Sequence, residues 1–272
     1  MTEATPLAES AGLAVLVAKM AATAAFVVCV ALLSERVGPF LGAMTASLPI
    51  YTGPIYLFLA LDHGPDYLAQ SLIGSTAISA ATPIFALTYC LLALRFGVGA
   101  SLGGALLAWA LAALAIRSHA WTQIEAALLT AAVFVVAVPV SGYFKHAGII
   151  VQAQKRWIDL PLRAMLVAAT VGVVTIVSAH TPPMVTGILT VVPVIFSSLI
   201  LVLHPRIGGP ATAALMAHSI SGLIGMVIAF IVAQLSIRRI GTAPALLIGL
   251  GICIAWNLML IVARHGLGWL RR

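Results

Sequence analysis

The chain is short of charge. Only 8% of its 272 residues are Asp, Glu, Lys or Arg, against roughly 25% in a water-soluble domain. That is too little polar side chain to cover a soluble globule of this length. Acids are scarcer still, with 7 Asp and Glu against 14 Lys and Arg. Of the acids, only Glu125 falls inside an apolar run, and it lies near the end of that run. This argues against a cation pump built on carboxylate ligands, and against an intramembrane enzyme that needs paired acids or a histidine cluster. The 3 cysteines, Cys29, Cys90 and Cys253, sit in apolar runs without metal-ligand spacing and read as inert buried thiols. HExxH, GxSxG and a phosphate-cradling glycine loop with lysine are all missing. No enzymatic activity, metal or cofactor is therefore expected. The opening MTEATPLAES carries no base before the first apolar run, unlike a usual signal peptide.

Apolar residues are abundant, at 62% of the chain. They form recurring runs of about 20 residues, the length that crosses a hydrocarbon core of about 30 Å. These runs do not alternate as the strands of a membrane barrel do. The fold class expected is all-α, a polytopic integral membrane protein. Nine spans are expected, near 11–33, 38–61, 67–94, 97–116, 122–141, 160–179, 183–204, 210–235 and 243–263. Short connections make neighbours antiparallel, apart from a longer polar segment at 142–159. The formal charge of +7 does not indicate nucleic acid, because the bases are scattered one to three per loop. In a nine-span arrangement Lys19, Arg117, Arg238 and Arg239 fall on one side and the other ten bases on the opposite side. The positive-inside rule then places the N-terminus outside and the C-terminus in the cytoplasm of a cell inner membrane. Arg238 and Arg239 run against that bias.

Residues 42–56, GAMTASLPIYTGPIY, bring prolines, glycines and hydroxyls into an apolar span. Residues 187–201, GILTVVPVIFSSLIL, resemble them at a shift of 145 positions. The shift pairs Gly42 with Gly187, Thr45 with Thr190, Ile50 with Ile195, Gly64 with Gly209 and Pro65 with Pro210. Two four-span repeats are expected, in 1–121 and 160–272, joined by a linking helix and cytoplasmic loop in 122–159. An odd number of crossings separates equivalent positions, so the halves would be inverted. Inverted repeats with Gly/Pro-broken segments at matching positions are a signature of secondary transporters. Broken backbone in hydrocarbon must face protein or a water-lined cavity.

The order Gly-small-hydrophobic-Thr, then Pro or aromatics, then a Gly-Pro turn and a Ser/Gly-rich helix, resembles GlpM-like small membrane proteins. The resemblance covers residues 38–80 and again 183–225, as a duplicated unit. It implies no substrate and no catalytic residue.

The candidate substrate-binding residues follow from these features. Thr45, Pro49, Tyr51 and Thr52 in the first half, and Thr190, Pro193 and Ser197 in the second, supply hydroxyls and breaks. Lys19, about 12 Å into span 1 by helical rise, would bind an anion or pair with an acid; a snorkelling lysine is the bland alternative. His218 is a candidate proton relay, and Asn257 a substrate contact or packing residue. Asp62, His63 and Asp66 read as a surface turn. The function expected is secondary transport, by alternating access, of a small organic, anionic or zwitterionic solute. The partners expected are the lipid bilayer and that solute, not nucleic acid. A non-transporting scaffold or accessory subunit, or a lipid-handling protein, remains as the alternative.

Overall fold

The structure is a computed structural model that describes residues 6–35, 52–149 and 159–269. The described residues are helical, without strands. The helices are α1 (Pro6–Glu35), α2 (Thr52–Asp62), α3 (Pro65–Ile78), α4 (Ala81–Ala93), α5 (Val98–Arg117), α6 (Gln123–Ser141), α7 (Asp159–Ser178), α8 (Pro183–Leu189), α9 (Val194–Ile207), α10 (Gly209–Ile240) and α11 (Thr242–Trp269).

Seven stretches among the described residues are helical, long and apolar enough to cross a membrane: Pro65–Ala93, Val98–Arg117, Gln123–Phe144, Leu160–Ser178, Pro183–Ile207, Gly209–Ile240 and Thr242–Ala263. They correspond to seven of the nine spans expected. Of the other two, the first falls in α1, with an apolar stretch at Ala14–Phe26. The second is described only from Thr52 onward, as α2. The chain therefore reads as a multi-pass helical membrane protein.

The interior is built from α3, α4, α8, α9 and α10, and α5, α6, α7 and α11 lie outside them. The outer helices expose large apolar residues such as Leu107, Leu114, Leu128, Val135, Leu247 and Val262. A soluble monomer does not carry so wide an apolar surface; hydrocarbon tolerates it.

Local chemistry sets the boundaries. Thr122 caps α6 by accepting from the Glu125 amide, while the Glu125 carboxylate accepts from the Thr122 amide, a reciprocal box that fixes the helix start. This gives Glu125 the structural role its position suggests. Pro83 cannot donate to Ser79, so the span Pro65–Ala93 breaks at Ser79–Ala80 into α3 and α4. Gly208 and Gly241 join α9 to α10 and α10 to α11 with φ of 84° and 86° and extended ψ. That backbone region is open essentially only to glycine.

Small residues let the interior helices cross closely. A Cβ on Gly187 would strike the Ser71 carbonyl of α3, and one on Gly209 would strike the Ala93 carbonyl of α4. Asp66, at the start of α3, pairs with Arg238, near the end of α10, at 2.8 Å. The α3–α4 span and α10 therefore run antiparallel. The 61–66 and 238–241 turns lie at one end of the bundle, and the 93–97 and 204–209 turns lie at the other. Further packing joins α1 to α7, α4 to α5, α10 to α11, α2 to α11 and α5 to α9.

Candidate functional site

The span Pro183–Ile207 is broken at Thr190–Pro193, between α8 and α9. Pro193 has no amide hydrogen, and the turn before it tightens. Val191 and Val192 donate to carbonyls three residues back, and Val194 donates to Val192 at 2.7 Å. Regular bonding resumes with Ser197, whose amide donates to the Pro193 carbonyl at 2.9 Å. Such a break in hydrocarbon needs protein partners, and α3 supplies them.

Ser75 of α3 is the hub. Its Oγ lies 2.8 Å from the Gly187 carbonyl, 2.7 Å from Thr190 Oγ1 and 2.8 Å from Tyr56 Oη. Thr190 Oγ1 also reaches the Gly187 carbonyl, at 2.7 Å. Three hydroxyl hydrogens serve these four contacts: Tyr56 donates to Ser75, Thr190 donates to Gly187, and Ser75 donates to Gly187 or to Thr190. Thr52 Oγ1 adds a long bond to the Thr190 carbonyl at 3.4 Å. Tyr56, Ser75, Thr190 and Thr52 are all buried.

A second cluster continues towards the Asp62 end of the bundle. Tyr67 Oη lies 2.7 Å from Thr186 Oγ1 and donates to the Ser178 carbonyl at 3.0 Å. The His63 ring stacks on Tyr67 at 3.9 Å, with Nε2 3.1 Å from Ser178 Oγ. At that end Lys19 Nζ donates to both Asp62 oxygens at 2.6 Å. Lys19 is 8% exposed and Asp62 35%.

Beside this polar seam lies a cavity of about 720 Å³ between α1, α2, α10 and α11. Its walls include Phe58, Phe230 and Leu247, and its polar lining residues are Thr23, Thr52 and Tyr56. The Thr23 hydroxyl is occupied by the Lys19 carbonyl at 2.9 Å. The cavity surface is thus almost wholly apolar.

The candidate residues separate into four groups. Thr52 and Thr190 meet at the break, Pro193 makes that break, and half-buried Ser197 returns its hydroxyl to the Pro193 carbonyl at 2.7 Å. Lys19 pairs with an acid, one of the two roles expected of it, and the acid is Asp62. Asp62 is therefore more than part of a surface turn. His218, on α10, is half-buried, and Asn257, on α11, donates from its side chain to the Cys253 carbonyl at 2.9 Å. Neither lines the cavity. Thr45, Pro49 and Tyr51 lie outside the described residues. Ser75, Tyr56 and Tyr67 are not among the candidates that the sequence yields. The four-residue spacing of Ser71, Ser75 and Ser79, which puts three hydroxyls on one helical face, was the available signal. Among the described residues no group of three or more His, Cys, Asp or Glu is placed to hold a metal ion.

In comparisons with known proteins, no family model, curated protein or solved structure matches the chain. The GlpM-like resemblance accordingly rests on the quoted residues alone.

Ser75→Ala tests the hub. It removes a donor from the hub and the acceptor of the Tyr56 hydroxyl, inside the buried interior. An unsatisfied buried group costs about 1–3 kcal/mol, so thermal unfolding in detergent should move down clearly. Tyr56→Phe removes the Tyr56 hydroxyl itself and should cost less. Equal effects of the two changes would argue against Ser75 as the hub.

Proposed function

We propose that the chain is a secondary transporter of a small organic solute, working by alternating access between two inverted four-span repeats. The observation that carries this reading is the broken span. Its break at Thr190–Pro193 lies in the buried interior against the hydroxyls of α3, beside a cavity. Breaks that served only to end a helix would sit at the bundle ends. A break held by exchangeable hydroxyl contacts lets two halves shift without breaking a packed apolar ridge.

The contacts support the inverted arrangement. Under the 145-residue shift α1 corresponds to α7 and the α3–α4 span to α10, and each packs against its own counterpart. The α2–α11 contact corresponds to the α9–α5 contact, and α4–α5 to α10–α11. The opposite placement of the 61–66 and 205–209 turns fits a reversal of direction. The repeats are 1–121 and 160–272, with nine spans, the N-terminus outside and the C-terminus in the cytoplasm of an inner membrane. Lys19, neutralised by Asp62, favours a zwitterionic over an anionic solute. Lipid handling is the second reading, favoured by the almost wholly apolar cavity.

The test is flux in reconstituted vesicles, with a panel of small zwitterions and amphiphiles followed by mass spectrometry. The protein should move at least one of them faster than empty vesicles do. Thr190→Val keeps the shape and removes a hydroxyl that holds the break against Ser75 and Gly187, and should slow flux while folded protein is still recovered. Cysteines placed at Asp66 and Pro205 should label from opposite faces of the membrane. Labelling from one face would end the inverted-repeat reading, and flux equal to empty vesicles would favour the scaffold.

A further inference from the structure

We infer that the cavity takes a single-chain zwitterionic amphiphile. Its ammonium lies on Asp62, its anionic group on Lys19, and its chain runs along the cavity towards Thr52. The inference rests on the transport reading of the same site and names the class of solute.

The first reason is alignment. Asp62 ends α2, while Phe58, Tyr56 and Thr52 of the same helix line the cavity. From Asp62 to Thr52 is about 15 Å by helical rise. On α1, Thr23 and Phe26 line the cavity one and two turns beyond Lys19. On α10, Phe230 and Ala233 lie below Arg238, which marks the same end of the bundle as Asp66. Neither Lys19 nor Asp62 is among the lining residues; walls from three helices place the pair about one turn beyond one end of the apolar, half-open cavity. The Phe58 ring joins the two parts, lining the shaft with its centroid 6.0 Å from Lys19 Nζ.

The second reason is charge. The Lys19–Asp62 pair is neutral as a unit and is held away from bulk water on the lysine side. An anion drawn to Lys19 would meet the like charge of Asp62, and a cation drawn to Asp62 would meet Lys19. A zwitterion laid antiparallel meets an opposite charge at both ends and leaves no net charge in a low-dielectric site. Asp62 is exposed enough to receive an ammonium beside Lys19.

The third reason is the division of labour between head and chain. Hydrocarbon gains little on passing from lipid into an apolar cavity, because lipid tails are equally apolar. The shaft therefore selects by shape, and preference comes from the head. At about 720 Å³, the half-open cavity lies in the size range of sites for drug-sized molecules, which suits one chain.

The probe is 2-aminododecanoic acid, compared with dodecanoic acid and dodecylamine. Equilibrium binding to the full-length protein in detergent is measured against empty micelles. The zwitterion should bind at least about tenfold more tightly than either singly charged probe, as one well-paired charge contact would give. Lys19→Gln should abolish that preference. The Lys19→Asp/Asp62→Lys double variant, which keeps a neutral pair, should restore part of it. Gly53 lines the cavity with open space at its Cβ position. Gly53→Trp should therefore fill the shaft, weaken binding at least about tenfold, and leave thermal stability in place. Equal binding of the three probes, or binding unchanged by Gly53→Trp, overturns the inference. So does a two-chain phospholipid that stays bound in the cavity against excess probe. Binding without flux into vesicles would sink the transport reading and leave this inference standing. Flux of a different solute without probe binding would do the reverse.

Discussion

Replacing Gly187 with leucine should leave no folded protein. Gly187 is where α8 crosses α3, and a Cβ there would overlap the Ser71 carbonyl and come within 3.0 Å of the Ser75 amide nitrogen. These are backbone atoms of a helix buried between α8 and α10, so no flexible side chain can give way. The two helices must separate. Separation pulls the Gly187 and Thr190 oxygens away from Ser75, the hub of the hydroxyl seam. Overpacking alone costs about 1–3 kcal/mol, and each hydrogen bond lost from a closed interior adds about 1 kcal/mol or more. The sum is a large part of the 5–15 kcal/mol that holds a typical protein folded. Gly251→Leu is the matched control. Gly251 is exposed on α11 with nothing within 4 Å of a Cβ, so the change should not lower stability and, by helix propensity, should raise it by up to about 1 kcal/mol. The measurement is the yield of monodisperse protein on size exclusion, with thermal unfolding of whatever survives. A Gly187→Leu protein that purifies and melts like the parent would mean that α3 and α8 do not cross at this glycine.

The membrane class and the positions of seven spans were legible in the sequence for one physical reason. A hydrocarbon solvent demands long uncharged runs, and such runs stand out in composition alone. The break at Thr190–Pro193 was legible for a similar reason, since proline lacks an amide hydrogen wherever it sits. The site was only half legible. Ser75 carries as much of the seam as Thr190, yet a serine within a helix reads the same whether it faces lipid, packing or a partner hydroxyl. The Lys19–Asp62 pair joins residues 43 positions apart, and nothing in local spacing announces it. The cavity was the least visible feature. Phe58 and Phe230 line it, but an apolar side chain that faces a half-open cavity has the same composition as one that faces lipid. Sequence periodicity separates apolar from polar faces, and here both faces are apolar.

Asp62→Ala should destabilise the protein more than Lys19→Ala, although both remove the same ion pair. The pair pins α1 to the end of α2, with Nζ 2.6 Å from each carboxylate oxygen. Its two members differ in access to water. Lys19 is 8% exposed, so Asp62→Ala strands an ammonium that the surroundings can scarcely solvate. Breaking a buried pair this way costs about 3–5 kcal/mol, and the lower end is expected because one partner reaches water. Lys19→Ala strands a carboxylate that is 35% exposed and rehydrates in place, so its cost should fall to about 1 kcal/mol. The Lys19→Ala/Asp62→Ala double variant leaves no stranded charge and should be more stable than Asp62→Ala alone. The Arg238–Asp66 pair at the same end of the bundle supplies the contrast. Its members are 60% and 78% exposed, and Arg238→Ala should cost at most about 1 kcal/mol, diminishing in salt. Thermal unfolding of the four variants at low and high ionic strength checks the series. If Asp62→Ala and Lys19→Ala cost the same and their effects simply add, then the two residues are not coupled as the 2.6 Å geometry requires. Lys19 would then be free to snorkel, and the neutral head-group site proposed beyond the end of the cavity would lose its foundation.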